Sequence, residues 1–510
     1  MTWRLDDPQG DEAGKIKYLV VPYTRGIGLD LGCGPKKAFP HFIGVDSCKD
    51  SELFGIEMKP DVKVESCERL DDFNTESCDF VFSSHLLEHI EDYRAALTEW
   101  WRVIKPGGHL VLYLPHRDLY PNVGEEGANP DHKHDFHLTD IVAAMKQVGG
   151  WDLLMDEVRD EDREYSFLQV FRKRDDGVHE FPCYDPPPEF SACVVRYGGF
   201  GDQIQASNIL PALKRAGYHV TVITTPKGQD ILREDPHVDA WLIQDDEQVP
   251  NVELGDFFAA WQARFDKWIN LCESVEGTLL AMPGRANHGW PVNLRRKVMG
   301  RNYLEFTAEL AEVPYSSEAK FYATEAEIEK VSALVPDPAG ADLIMFALSG
   351  SSVHKFYPWQ DHVIAEVLDR NPRAHFVLVG DMACKILEAG LEEHPRITCL
   401  SGEIAIRETL ALAQLMTCVV GPETGVLNAV AFDPDVRKVC LLSHSSHENL
   451  TKHWVNSVAI CPPAEVSCYP CHRLHYDRRF CPEHQETGAA MCQASIPPAD
   501  VAAAVLGEPR

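Results

Sequence analysis

Three times along this chain, short apolar runs alternate with helical stretches, and that recurrence confines it to open α/β sheets joined in series. The first series runs from residue 26 to 175 through GIGLDL, FIGVD, CDFVFS and HLVLYLP. A second begins with ACVVRY, HVTVITT and WINLCES, and a third near residue 340 with DLIMFALSG, HFVLVGD, TCVVGPETG and KVCLLS. Short apolar runs bounded by turn residues and separated by helical patterns are the signature of parallel sheets wrapped by helices. One helix is checked by spacing. Leu97, Trp100, Trp101 and Ile104 fall at i, i+3, i+4 and i+7, which makes one apolar stripe facing a sheet, and Pro106–Gly108 is expected to stop it.

The 510 residues exceed one core and suggest about three units. With 45% apolar and 9% aromatic residues and no long polar tract, all three should be ordered. The text DDGVHEFPCYDPPPEF, with three consecutive prolines, continues neither a helix nor a central strand and reads as a linker over 176–190. The expected domains are therefore 1–175, 191–338 and 339–510, each Rossmann-like. No run of about 18 apolar residues offers a membrane span, and the start, MTWRLDDPQGDEAGK, lacks a signal-peptide pattern, so a cytoplasmic location is expected. A formal charge of −31 argues against nucleic acid as a partner. In such a setting the sixteen cysteines are expected as thiols, with any tight cluster holding a metal.

GIGLDLGCGPKK carries a strand into a tight glycine turn, where missing side chains let the backbone approach a ligand. Asp30, Gly32 and Gly34 are its key positions. FIGVDS then ends a second strand on Asp46, a carboxylate placed to accept hydrogen bonds from ribose hydroxyls. Such a turn is also an ordinary tight connection in α/β folds. The decisive addition is CDFVFSSHLLEHIEDYRAALTEWWRVIKPGGHLVLYLP. With it, residues 26–172 resemble class I S-adenosylmethionine (SAM) dependent methyltransferases. The resemblance implies that Asp30, Gly32 and Gly34 hold the methionine end of SAM and Asp46 its ribose. The chain departs from the family pattern at Lys36, which replaces a third glycine, and leaves about seven residues for the first helix.

Methyl transfer needs a positioned nucleophile and sometimes a base. The acceptor-side candidates are His85 and His116, each following a strand, and the loop NPDHKHDFHLTD with His132, His134 and His137. His85 and His132 are the expected catalytic pair. The loop's histidine density also suits a metal, while the plainer reading is a solvated substrate loop with a helix cap at Thr139.

ACVVRYGGFGDQIQASNILPALKRAGYHVTVITT passes from a strand through a glycine-rich bend into a helix expected just after Asp202. It resembles the opening of family 9 glycosyltransferases, the heptosyltransferase group. That resemblance implies a GT-B fold of two Rossmann-like lobes and Asp202 as the general base of an inverting displacement; a plain helix N-cap is the competing reading. Matching segments continue to about residue 500, including SGSSVHKFYPWQDHVIAEVL and CVVGPETGVLNAVAF. Within them Lys355 matches the donor-binding lysine and precedes Tyr357 and Pro358. A departing sugar diphosphate needs positive charge and backbone N–H donors, which Lys355 and the turn Glu423, Thr424 and Gly425 would supply. The family usually has aspartate where Glu423 stands. Arg196, Ser349, Ser351 and Asp381 also end strands facing the expected cleft, with no assigned role. The resemblance implies an ADP-heptose-like donor and a surface glycan, lipopolysaccharide or glycoprotein acceptor.

Near the end, Cys468 and Cys471 form a CxxC, followed by Cys481 and Cys492. Four thiolates suit structural zinc or iron, although the second half is not a CxxC. Autotransporter heptosyltransferases carry a comparable finger. Free thiols or disulfides are the alternatives, the disulfides disfavoured in a cytoplasmic setting, and His444, His447 and His453 are expected to form a polar loop beside the acceptor groove, with a different site as the competing reading. The fold class is thus α/β, a Rossmann-like methyltransferase domain followed by a GT-B pair. Its leading function is bifunctional methyl and glycosyl transfer. Two alternatives stand beside it: a glycosyltransferase with a non-catalytic methyltransferase-like module, for which Lys36 speaks, and a nucleic-acid-modifying enzyme. Nothing in the sequence fixes an oligomeric state.

Overall fold

The first apolar series forms a seven-stranded sheet in the computed structural model, which describes residues 11–49, 57–161, 164–175, 190–337, 339–475 and 481–508. Its strands are β1 (Gly28–Leu31), β2 (Ile43–Asp46), β3 (Val62–Lys63), β4 (Cys78–Ser84), β5 (Ile104–Pro115), β6 (Trp151–Arg159) and β7 (Ser166–Lys173), in the order β3-β2-β1-β4-β5-β7-β6. Strands β1 to β5 pair in parallel, and β7 runs antiparallel to both β5 and β6. The parallel order places the C-terminal ends of β1, β2, β4 and β5 along one edge, where ligands bind in open α/β sheets.

The helix Tyr93–Val103 covers this sheet. Asp92 caps it by accepting from the Ala95 N–H at 3.0 Å, and Leu97, Trp100 and Trp101 are buried as the spacing predicts. Burying a side chain such as Leu97 stabilises the unit by about 2 kcal/mol. The helix stops earlier than expected. Ile104 already opens β5, and Pro106–Gly108 lie inside that strand. The cause is the Val103 carbonyl, which accepts from the Ser77 N–H at 2.9 Å and so commits the chain to the sheet before the proline is reached. Between β1 and β2 the chain forms turns instead of a first helix.

The chain divides into two compact units, Met1–Glu189 with Ile243–Arg264, and Phe190–Leu242 with Phe265–Arg510. The expected linker at 176–190 lies outside the described residues except for Phe190. Segment 243–264 joins the first unit through specific bonds. Gln248 Nε2 donates to the Val21 and Thr24 carbonyls at 2.6 and 3.0 Å, and Trp261 Nε1 donates to the Tyr18 carbonyl at 3.0 Å.

The second unit holds two further sheets. Strands β8 (Ser191–Val195), β9 (His219–Thr224), β10 (Ala240–Ile243) and β11 (Lys267–Asn270) are ordered β10-β9-β8-β11, with β8 parallel to β9 and β11. Strands β12 (Asp342–Ala347), β13 (Ala374–Val379), β14 (Ile397–Cys399), β15 (Cys418–Pro422), β16 (Arg437–Leu441) and β17 (Ser457–Ile460) form a fully parallel sheet, β14-β13-β12-β15-β16-β17. The α/β class read from the sequence is therefore present in all three sheets. The two lobes of this unit meet where Phe200–Ala206 crosses Gly425–Ala429. Glycine is required there, because a Cβ on Gly425 would lie 2.9 Å from the Gly201 nitrogen. Among the described residues no helix is long and apolar enough to cross a membrane.

Candidate active sites

The end of β1 builds the first site. Gly32 and Gly34 have φ of 67° and 57°, left-handed values that favour glycine, and a Cβ on Gly32 would strike Leu86 Cδ1 at 2.9 Å. A Cβ on Gly34 would meet no atom of the described residues within 4 Å. Asp30 is buried beside it and accepts from the Ala38 N–H at 2.8 Å; burial pushes its carboxyl up to about 7, opposed by that bond and by Lys37. Asp46 accepts from the Cys48 and Gly34 N–H groups at 2.7 and 3.0 Å, which fixes the carboxylate at the edge of the turn. Lys36 does not fill the turn. Its side chain is exposed and ion-paired to Asp11 at 2.7 Å. The open cradle and the two anchored carboxylates fit the amino-acid and ribose ends of SAM.

The histidines separate into distinct roles. His134 Nε2 lies 3.0 Å from the Ile90 carbonyl oxygen and 3.1 Å from that of Glu91, which pins its loop to the backbone. His137 is the N-cap of Leu138–Val148, with Asp140 bonding back to its N–H at 2.8 Å. The cap is thus His137 and not Thr139, because the imidazole Nδ1 supplies the acceptor for the Thr139 N–H. His116 closes on His137, with ring centroids 4.9 Å apart, and burial lowers its basicity.

His85 and His132 converge on a residue the sequence reading passed over, Glu88. Its Oε1 lies 3.9 Å from His85 Nδ1, 4.0 Å from His89 Nε2 and 3.8 Å from His132 Nε2. Burial brings His85 down to about 3 and His132 to about 4, so both imidazoles are neutral at physiological pH and weak as bases. His85 itself sits at φ 50°, and its Nε2 is 2.9 Å from Ser166 Oγ.

A cavity of about 540 Å³ opens between the lobes of the second unit. Asp202 lines it from the first turn of Phe200–Ala206; the helix starts before this residue, so Asp202 is no N-cap but the third helical position, accepting from the Gly199 N–H at 2.7 Å. Its other oxygen lies 3.1 Å from Arg196 Nη2. Arg196 is also held by Glu276, through bonds of 2.9 and 2.7 Å, and donates to the Leu271 carbonyl at 2.8 Å. Burial, with Glu276 adding to it against the pull of Arg196, raises the Asp202 carboxyl to about 6. Burial also acts upward on Glu276, but the bidentate guanidinium outweighs it and keeps that carboxyl low.

Lys355, Ser349, Ser351, Asp381, Thr424 and Gly425 face the same cavity. So does Lys227, which no sequence motif singles out; its ammonium lies 4.4 Å from the centre of the Phe200 ring. Glu423 lines the cavity, but its carboxylate is turned to its own lobe. Oε1 accepts from the N–H groups of Ser443, His444 and Ser445 at 2.6, 3.2 and 3.3 Å, and Oε2 lies 2.9 Å from His444 Nδ1. Burial alone would raise this carboxyl; His444, Lys355 and the loop N–H groups bring it to about 2. His447 pairs with Thr451 at 2.8 Å and His453 with Glu305 at 2.7 Å, so neither of these two completes a site with His444.

Cys468, Cys481 and Cys492 pack in one small cluster, with Cys481 hydrogen-bonded to Cys492, and Cys471 interacts electrostatically with Cys468 and Cys481. Every described cysteine is a free thiol. The groups of possible ligand atoms lying mutually within 4.8 Å are elsewhere among the described residues, at Glu88–His89–His132 and His116–Asp118–His137.

Residues 29–112 match the family model of a methyltransferase domain. No curated protein sequence matches the chain. Among solved structures, a family 9 glycosyl transferase from Veillonella parvula is 15% identical over 54% of this chain and 88% of its own, with a TM-score of 0.42. The ADP-heptose lipopolysaccharide heptosyltransferase II of E. coli is 14% identical over 62% and 98%, with a TM-score of 0.43. A SAM-dependent methyltransferase from Archaeoglobus fulgidus is 19% identical over 33% and 97%, with a TM-score of 0.27. The methyltransferase-domain match falls within the first unit.

Proposed function

We propose that this chain is a bifunctional transferase that methylates a sugar hydroxyl from SAM and transfers a glycosyl group, with inversion, from a nucleotide-sugar to a glycan or glycoprotein acceptor. One observation carries the glycosyl half. Asp202, a buried carboxylate that burial and Glu276 hold above the ordinary carboxylate range, faces a cavity that also holds the lysines Lys355 and Lys227. A general base works best with such a value. In this reading Asp202 takes the acceptor hydroxyl's proton, the oxygen attacks the anomeric carbon, and the bond to the diphosphate breaks in the same displacement. Lys355, Lys227 and the Thr424–Gly425 backbone meet the charge that develops on the leaving group. Arg196 and Glu276 act through Asp202 by orienting it. Glu423 is a positioning residue that shapes the 443–445 loop.

For the methyl half, Asp30, Gly32, Gly34 and Asp46 would hold SAM, which supplies an activated methyl group. Lys36, paired outward to Asp11, leaves the turn open and so favours an active domain over a binding module. The sequence resemblance supports an ADP-heptose-like donor and a lipopolysaccharide or related acceptor. Calorimetry with a panel of nucleotide-sugars tests the donor: an ADP-sugar should bind most tightly. No response to any ADP-sugar, with clear binding of another nucleotide-sugar, overturns that assignment.

A further inference from the structure

Glu88 is fully buried, and among the described residues neither carboxylate oxygen has a hydrogen-bond partner. A buried carboxyl group in that state is costly unless a proton or a cation answers it. What surrounds it is a set of imidazole nitrogens. Glu88, His89 and His132 each offer one ligand atom, and all three atoms lie within 4.8 Å of one another. His85 Nδ1 stands 3.9 Å from the same Oε1. A tetrahedral ion with bonds of about 2.1 Å has ligand–ligand edges of roughly 3.4 Å, so small side-chain shifts would close the set.

The local chain is built to hold this arrangement. The Glu88 carbonyl accepts from the Lys133 N–H at 2.8 Å and from the His134 N–H at 3.3 Å, which docks the histidine loop on the turn after β4. The His89 and His132 rings are 4.8 Å apart, edge to face. Glu88 is closed off while the His89 side chain keeps 31% of its exposure, so the cluster has an open side.

We infer that Glu88, His89 and His132, with His85 beside them, form a binding site for a divalent first-row transition-metal ion in the methyltransferase unit. Two imidazoles and one carboxylate leave coordination positions free. The site lies on the turn whose Leu86 packs against Gly32 of the cofactor cradle. Resting on the methyltransferase reading, its task is to seat the acceptor hydroxyl facing the methyl donor. The bound hydroxyl is more acidic; its proton leaves to solvent, the oxygen–methyl bond forms, and the sulfur–methyl bond breaks with its electron pair remaining on sulfur.

The test uses the full chain, stripped with chelator and titrated with Mn²⁺ alone, bound ion being read from loss of the free-ion paramagnetic resonance signal. Mn²⁺ favours carboxylate and imidazole over thiolate ligands, which separates this site from the four cysteines. One ion per chain is expected, with affinity falling roughly tenfold or more in Glu88→Gln, His132→Ala and His89→Ala. SAM binding, measured in the same samples, should stay within about twofold of the parent value. A parent protein that takes no Mn²⁺ overturns the inference. So does His89→Ala, at a half-exposed position that leaves the core intact, binding as the parent does. Mn²⁺ binding that follows these variants, without methylation of any hydroxyl acceptor, keeps the site and rejects the methyltransferase reading. Methylation with no Mn²⁺ bound does the reverse.

Discussion

Asp202 Oδ1 lies 3.1 Å from an Arg196 guanidinium that also holds Glu276 through two hydrogen bonds. One cation therefore serves two carboxylates that both line the cavity, and of the two Asp202 is raised above the ordinary carboxylate range while Glu276 is held low. Replacing Asp202 by Asn keeps the shape and the Gly199 contact partner but removes the base. Glycosyl transfer should fall by about 10²–10⁴ in kcat, with nucleotide-sugar affinity little changed. Steady-state kinetics beside calorimetry check both numbers, and near-normal turnover would remove Asp202 from the chemistry.

The same relationship sets a pH dependence. Asp202 must be ionised to act, so kcat/KM should rise with pH, level off above about 6, and fall as the carboxyl is protonated below it. Arg196→Lys cannot make the two-pronged bond to Glu276 and still orient Asp202. Its acid limb should therefore move to higher pH. An unchanged limb would mean that Arg196 is structural only.

Lys355 faces the cavity, where its charge helps to hold Glu423 ionised and can also meet a leaving group. Lys355→Ala should lower kcat/KM by at least about tenfold, or about 1.4 kcal/mol of transition-state stabilisation. Lys227→Ala should have a smaller effect in the same direction, because Lys227 is more exposed. A loss confined to acceptor KM would contradict the assignment of Lys355 to the donor.

Much of this was legible before the structure, and the part that was not has a common cause. Runs such as VVRY before Gly198 and VLVGD after Ala374 declare buried strands directly, and the strand-end rule then brings Asp202, Lys355 and Thr424 to one cavity. Glu276 and Lys227 follow strands whose sequences carry no special turn, so only tertiary packing reveals that they line the cavity of Asp202. Glu88 was hidden in the same way: in LEHI it reads as a polar position on a short turn, and its burial comes from the loop carrying His132, more than forty residues on. Segment 243–264 packs on Val21 and Thr24 through the Gln248 side chain, a long-range bond with no local pattern. The Thr139 cap was misplaced by two residues because an imidazole, His137, took the role usually given to a hydroxyl or carboxylate.

Glu423 links the site to stability. Its carboxyl is held at about 2 in the folded state, below the ordinary value of 4.5, so folding favours the ionised form. That stabilisation is fully present above the ordinary value and is lost as pH falls through it toward about 2. Urea midpoints measured from pH 7 to pH 3 should decline, and Glu423→Gln should be less stable at pH 7 with a flatter decline. Equal slopes in the two proteins would contradict the role given to the Ser443–Ser445 bonds.

The central claim is that two separate centres in one chain each transfer a group. It is tested most directly by mass spectrometry of candidate acceptors incubated with isotope-labelled SAM and a nucleotide-sugar panel, using the parent chain, Asp202→Asn and Asp46→Asn. The account predicts that the parent adds both a methyl and a sugar, that Asp202→Asn loses only sugar transfer, and that Asp46→Asn loses only methyl transfer. Sugar transfer undiminished in Asp202→Asn, or loss of both transfers in either variant, would contradict it.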